Sequence, residues 1–175
     1  MSKRIFGIAV AASLALAASF SAWADFAGTV VGVTDGDTIT VLDASKTRHK
    51  VRLAGIDAPE RDQPGGFRAK ENLSRLVYER RVRVEGDKKD SYDRIVGKVW
   101  VAPPDCRSCG PTLDAGLAQV SMGRAWWFRR YANEQSPEDR RRYEHAEQEA
   151  KARGVGLWRN PGPVPPWKWR NPGSP

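Results

Sequence analysis

The amino-acid sequence predicts an α+β chain, mainly β, built on a small barrel with helices appended. Three observations carry that expectation. β-rich runs separated by short polar turns open the first half, one helical stretch interrupts them, and the second half holds helical stretches with recognisable caps. A length of 175 residues fits one domain with tails and is ample for one hydrophobic core. At 40% hydrophobic and 29% charged residues, the chain is neither a polytopic membrane protein nor wholly disordered.

The first segment reads as a processing signal. Met1-Ser2-Lys3-Arg4 is a positive start, Ile5 to Phe20 is an Ala/Leu-rich apolar run, and Ala22-Trp23-Ala24 places small residues where a signal peptidase cuts. The run is short for a membrane span, which needs ~20 residues. Residues 1–24 are therefore expected to leave as a Sec-type signal peptide. The mature chain would start at Asp25 and be periplasmic or secreted, with no stable membrane association; an uncleaved anchor is the alternative.

In the mature chain, Phe26 to Thr34 and Thr38 to Asp43 read as strands around Asp35-Gly36-Asp37, and Lys50 to Ile56 as a third after a polar turn at Ala44 to Thr47. Gly65-Gly66 opens a helical stretch to Tyr78, in which Phe67, Leu73, Leu76 and Val77 recur at helical spacing. Arg81 to Glu85 alternates like a half-buried strand, and Ile95 to Val101 gives a fifth. Thr112 is the expected cap of a second helix, with Leu113, Leu117 and Val120 on one face and Gly123 as its stop. A third helix has Ser136 as N-cap, Pro137 at its first position, Glu138 and Asp139 at its positive end, and Gly154 to close it. Its apolar content is thin (Tyr143, Ala146, Ala150), which predicts a surface position. Three strands, a helix, two strands and then helices form the pattern of an OB-fold, a five-stranded barrel with about three helices. Residues 25–160 are the expected domain. Residues 161–175 carry six of the 12 prolines with Trp167 and Trp169, and read as an extended, poorly ordered Pro/Trp-rich tail with one Trp packed back.

Cys106 and Cys109 form a C-x-x-C in a Pro/Gly loop. A zinc site would need His49 and His145, which stand in no ligand spacing, and a thioredoxin-type pair would open a helix after a buried strand. In an exported chain the pair is expected as a small loop disulfide. The 29 Lys and Arg against 21 Asp and Glu leave a net charge of +8, and Arg outnumbers Lys 20 to 9. That balance points to a polyanionic partner or an anionic surface, with a bias toward the side chain that grips phosphate through a planar fork.

Three clusters could do chemistry. Alone, Asp35-Gly36-Asp37-Thr38 is a hairpin turn, and Arg52-Leu53-Ala54-Gly55-Ile56-Asp57-Ala58-Pro59-Glu60 is a strand ending in a Pro turn. Together they put two carboxylates, Asp37 and Asp57, at strand ends where neighbouring strands could present both to a hard cation. The softer ligands are two loop cysteines and two isolated histidines, so a calcium-like or magnesium-like ion is implied. Asp90-Ser91-Tyr92-Asp93-Arg94 adds a second arginine, and two guanidinia converging on a tetrahedral anion can stabilise a reacting phosphoryl group. A salt-bridged turn is the plain alternative.

In this order and at these separations, the three clusters resemble the staphylococcal nuclease (thermonuclease) family. The resemblance runs from about Phe26 to Trp158 and takes in the helix with Leu113 to Gly123, Trp126-Trp127-Phe128-Arg129-Arg130-Tyr131 and Gly154-Val155-Gly156-Leu157-Trp158. It implies a calcium-dependent endonuclease that uses one Ca²⁺ ion and hydrolyses DNA and RNA to 3′-phosphorylated products. Within it, Asp37 and Asp57 match the carboxylate ligands, Ala58 a backbone-carbonyl ligand, and Asp35 an acidic neighbour of the metal. Arg52 and Arg94 match the catalytic arginines, Glu60 the general base, and Tyr92 and Tyr131 aromatic positions against the bound nucleotide. Ser91 stands where some relatives carry a phosphate-touching Lys, Arg129 where the best-known member has Tyr, and the loop from Ala102 to Pro111 is longer than in that member. An inactive nuclease-like module that binds nucleic acid or protein is the competing reading, but such modules lack carboxylates or arginines that are all present here. A thiol–disulfide protein using Cys106 and Cys109 would leave the Asp/Arg/Glu pattern unexplained. A monomer is the default for a small barrel whose site is self-contained.

Overall fold

The computed structural model describes residues 25–106 and 108–173; the expected signal peptide, residues 1–24, lies outside the described residues. Strand β1 (Asp25–Val33) pairs antiparallel with β2 (Thr38–Asp43), and β2 with β3 (Arg48–Leu53). The other edge of β1 pairs with β5 (Arg81–Glu85), which pairs with β6 (Ile95–Val101). Strand β6 then meets β3 in parallel, with Val51 opposite Ile95 and Arg52 opposite Val96. This last ladder closes five strands into a barrel and removes the free edges of the sheet. The expected OB-fold is the observed one.

Val30, Ile39, Val41, Val51, Leu53, Val82, Val84, Val99 and Val101 are inward residues of these strands and are buried. Helix α1 (Gly66–Val77) contributes Ala69, Leu73, Leu76 and Val77 to the same core. Each fully buried Val or Leu contributes about 1.5–3 kcal/mol, so this core supplies the main stabilisation of the frame.

Three expectations about boundaries are corrected. The third strand stops at Leu53, and after a turn at Ala54-Gly55 a separate short strand β4 (Ile56–Asp57) pairs with β8 (Trp126–Trp127). Thr112 does not cap the second helix. Leu113–Asp114 (β7) is drawn into a ladder with β6, and Asp114 caps α2 (Ala115–Ser121) by accepting from the amides of Gly116 and Leu117. Helix α3 (Pro137–Ala152) has its expected Ser136 cap and Pro start, but one face is inside: Tyr143, Ala146, Glu147 and Ala150 are buried. Glu147 can be buried because Arg129, Lys151 and the Trp127 amide all bond it, which meets the charge with three donors.

The tail is not simply extended, although the expected packing of one Trp onto the domain is met. Residues 166–170 form a short helix, α4 (Pro166–Arg170), started by Pro166, whose missing amide hydrogen costs nothing at a helix start. Trp167 stacks on Phe128 with ring centroids 5.5 Å apart and meets Trp126 edge-on at 6.4 Å. The Cys106–Cys109 disulfide forms in its exposed loop, with Cα atoms 5.3 Å apart.

Candidate functional site

Three neighbouring features of the barrel bring the sequence clusters together. The β1–β2 turn carries Asp35 and Asp37, the β3–β4 segment carries Arg52 and Asp57, and the start of β6 carries Arg94, because β6 runs beside β3. All of them line one cleft of about 1700 Å³, together with Ala58, Glu60, Tyr92 and Tyr131.

The turn of Asp35 to Asp37 is held hard against its surroundings. A side chain on Gly36 would collide with the Cβ atoms of Ala58 and Ala69, so only glycine lets the turn sit this close to α1. Gln119, fully buried on α2, donates to the carbonyls of Gly36 (2.7 Å) and Ala69 (3.0 Å). The Asp37 amide donates to Asp35 Oδ1 at 3.0 Å, and the Asp37 carboxylate accepts from Thr38 Oγ1 (2.9 Å) and the Ala58 amide (3.1 Å). That last bond ties the first cluster to the second across 21 residues. Gln119 carried no local sequence signal, since a buried Gln looks like any other helix residue.

Arg52 donates to Asp57 Oδ1 at 3.2 Å and lies 3.6 Å from Asp37 Oδ2. Arg94 is gripped by Asp90, whose Oδ2 accepts from Nε and pairs with Nη2, both at 2.7 Å. Asp90 Oδ1 also accepts from the amides of Tyr92 and Arg94, which folds the turn so that Arg94 faces the cleft with Nη1 3.5 Å from Thr38 Oγ1. The Tyr92 ring lies 5.2 Å from the Arg94 guanidinium and Tyr131 meets Phe128 edge-on; both tyrosines stand largely exposed at the rim.

Glu60 is positioned by its backbone. Its amide donates to Gln63 Oε1 (3.0 Å), its carbonyl accepts from the Gln63 amide, and a side chain on Gly66 would collide with that carbonyl. The Gln63 amide group also donates to the Val164 carbonyl at 2.6 Å, linking this loop to the C-terminal segment. From that segment comes a residue the sequence reading missed. Arg170 donates to Asp57 Oδ2 at 2.6 Å and Oδ1 at 3.3 Å, and makes a short ion pair with Glu60. The proline content predicts an extended, poorly ordered tail, which gives its one arginine no place in a site; the Pro166 helix start is the signal available.

Electrostatics sharpen the picture. Burial, then the nearby Asp37 charge, raises the Asp35 carboxyl from 3.8 to about 6. Burial also raises Asp57, against the opposing pull of its Arg170 hydrogen bonds. Four carboxylates therefore crowd a space where two are almost fully buried, and guanidinia now lie on them as cations. Oxygen-only donors of this kind fit a hard divalent ion. Among the described residues, no three or more His, Cys, Asp and Glu side chains stand together as a complete metal cage. An ion on Asp37 and Asp57 would thus draw its remaining donors from backbone carbonyl, such as that of Ala58, and water.

The chain is similar to known proteins. The family described as Staphylococcal nuclease homologue matches residues 50–160. The chain is 40% identical to Protein ParB of Escherichia coli over 97% of its own length and 94% of that protein. It is also 40% identical to Micrococcal nuclease of Shigella flexneri over 93% of the chain and 90% of the relative. An Uncharacterized endonuclease of Haemophilus influenzae is 36% identical over 81% of the chain and 71% of its own length.

Proposed function

The chain belongs to the staphylococcal nuclease family, a family of phosphodiester hydrolases, and on that premise we propose that it is an exported, calcium-dependent endonuclease hydrolysing DNA and RNA to 3′-phosphorylated products. One observation carries the reading: Arg52, Arg94, Glu60 and the Asp37–Asp57 pair line a single cleft. A simple phosphate binder would have no use for these three carboxylates there.

Asp37, Asp57 and the Ala58 carbonyl would hold Ca²⁺, which supplies fixed positive charge for the phosphate. Glu60 then accepts a proton from the attacking water, whose oxygen forms the new bond to phosphorus while the bond to the 5′-oxygen breaks. The leaving 5′-oxygen takes a proton from solvent water and ends as a hydroxyl, and the phosphate stays on the 3′-oxygen. Negative charge gathers on the equatorial oxygens, where the forks of Arg52 and Arg94 can each present paired N–H groups. Asp90 holds Arg94 through Nε and Nη2, so the guanidinium is already oriented before substrate arrives. The exposed rings of Tyr92 and Tyr131 are placed to meet a nucleotide.

No helix among the described residues is long and apolar enough to cross a membrane, and the disulfide is compatible with export through a signal at residues 1–24. The residues invoked for the reaction all line one cleft, so the proposed enzyme needs no second copy and is taken as a monomer.

The test is cleavage of denatured DNA and of RNA by the purified protein, with Ca²⁺ and with a calcium chelator, followed by end-group analysis. Cleavage that stops on chelation and leaves 3′-phosphates is expected. Binding without cleavage, or chelator-resistant cleavage, would overturn the proposal.

A further inference from the structure

We propose that Arg170, delivered by the C-terminal segment, is a third active-site arginine: a phosphate-binding residue held at the cleft by Asp57 and Glu60. This deepens the nuclease reading and depends on it. The placement is specific. Gln63 bonds the Glu60 amide with its oxygen and the Val164 carbonyl with its nitrogen, so one buried side chain sets the distance between the Glu60 loop and the segment. Trp167 stacks on Phe128, whose ring also lies 5.9 Å from the Arg52 guanidinium. Arg52 and Arg170 therefore approach the same carboxylate, Asp57, beside one aromatic platform.

The parallel with Arg52 is informative. Arg52 also bonds Asp57, although its proposed partner during catalysis is the phosphate. Asp57 would hold a divalent ion with the same oxygens that now pair with Arg52 and Arg170, so ion and guanidinia would compete for them and both arginines would be left available to a phosphate. The Arg170 side chain is 40% exposed, so it can turn toward substrate without leaving a buried niche.

Charge balance decides between an arginine that helps and one that only blocks. Asp35, Asp37, Asp57 and Glu60 bring four negative charges when ionised. Arg52 and Arg170 offset two and a divalent ion offsets two more, while Arg94 is already matched by Asp90. Without Arg170 the loaded pocket keeps a net negative charge and repels the phosphodiester it must bind.

The experiment compares wild type, Arg170→Ala and Arg170→Lys, with Glu60→Gln as the inactive control. Calorimetric titration with Ca²⁺ alone should show Arg170→Ala binding the ion about tenfold more tightly, because a competing cation is gone. At saturating Ca²⁺ the same variant should lose at least ~10-fold in kcat/KM, with Lys restoring part of it. A merely structural role predicts neither the tighter Ca²⁺ binding nor the rescue. Arg170→Ala that cleaves as fast as wild type at saturating Ca²⁺ would make the segment only a plug and overturn the proposal, as would unchanged or weaker Ca²⁺ binding. If the alanine variant does not fold, Arg170→Lys is scored on the same two readouts, with smaller changes of the same sign expected and no change overturning the proposal. A wild type that does not cleave sinks the nuclease reading itself; an active wild type beside an equally active Arg170→Ala sinks only the role of Arg170.

Discussion

The two walls of the cleft are built in different ways. The barrel wall holds Arg52 on β3, Asp57 on β4, and Asp37 and Arg94 on the segments beside the strand ends, with each side chain braced by at least one further bond inside the wall. The wall from residues 164–170 hangs on a hydrogen bond from Gln63, the contacts of Trp167 with Phe128 and Trp126, and the ion pairs of Arg170 itself. Preorganisation is therefore deep on one side and shallow on the other. The lesson is that charge for the reaction can come from a rigid frame and from a lightly tethered arm at once, with different consequences when each is cut.

The largest expected effect lies on the barrel side. Arg94→Ala or Glu60→Gln should lower kcat by ~10²–10³ or more at saturating Ca²⁺ while leaving thermal unfolding of the metal-free protein near wild type. Wild-type rates in either folded variant would break the assignment of that wall as the reacting one. Next comes the brace behind it. Gln119→Leu strips the Gly36 and Ala69 carbonyls of their buried donor and should cost about 3 kcal/mol in urea unfolding, with weaker Ca²⁺ binding. A variant with unchanged Ca²⁺ affinity would show that the turn of Asp35 to Asp37 holds its shape without that brace.

On the arm, Trp167→Ala removes the stack on Phe128 and should cost only about 1 kcal/mol of global stability. Its mark should be a raised KM with kcat less affected. A stability loss as large as that of Gln119→Leu would show the arm to be as integral as the barrel wall.

The smallest effect is a pH dependence at Asp90. Burial raises its carboxyl, but the Arg94 side chain and the Arg94 and Tyr92 amides more than offset this and hold it below 3.8. A lowered folded value means that Asp90 stabilises the fold fully above 3.8 and that this contribution is lost as pH falls through the folded value. Unfolding of wild type and Asp90→Asn at about pH 5 and about pH 3 should show a stability gap that narrows at the lower pH. A gap independent of pH would mean that the charge on Asp90 is not what secures Arg94.

Much of the barrel wall was legible in the chain itself. Turn residues and alternation marked all five barrel strands, and the residues of each chemical cluster are neighbours in sequence, so their types and order carried the family resemblance. The misreadings have a common cause. Thr112 looked like a cap because the pull of the β6 ladder on Leu113–Asp114 is not local. Helix α3 looked like a surface helix because Glu147 reads as polar until its three partners are known. The loop disulfide was legible because its partners are three residues apart.

By itself, then, the sequence determined the frame, the chemistry of its motifs and their kinship, because strand periodicity, turn chemistry and clustered side chains are short-range properties. Tertiary structure alone decided that the barrel closes with Arg52 beside the start of β6, and that Gln119 and Gln63 lock the site from behind. It also decided that Arg170 meets Glu60 across 110 residues of chain. Such contacts depend on packing between segments whose composition says nothing of their partners. A proline-rich tail reads as extended until the stacking of Trp167 on Phe128 gives its helix a place to stand.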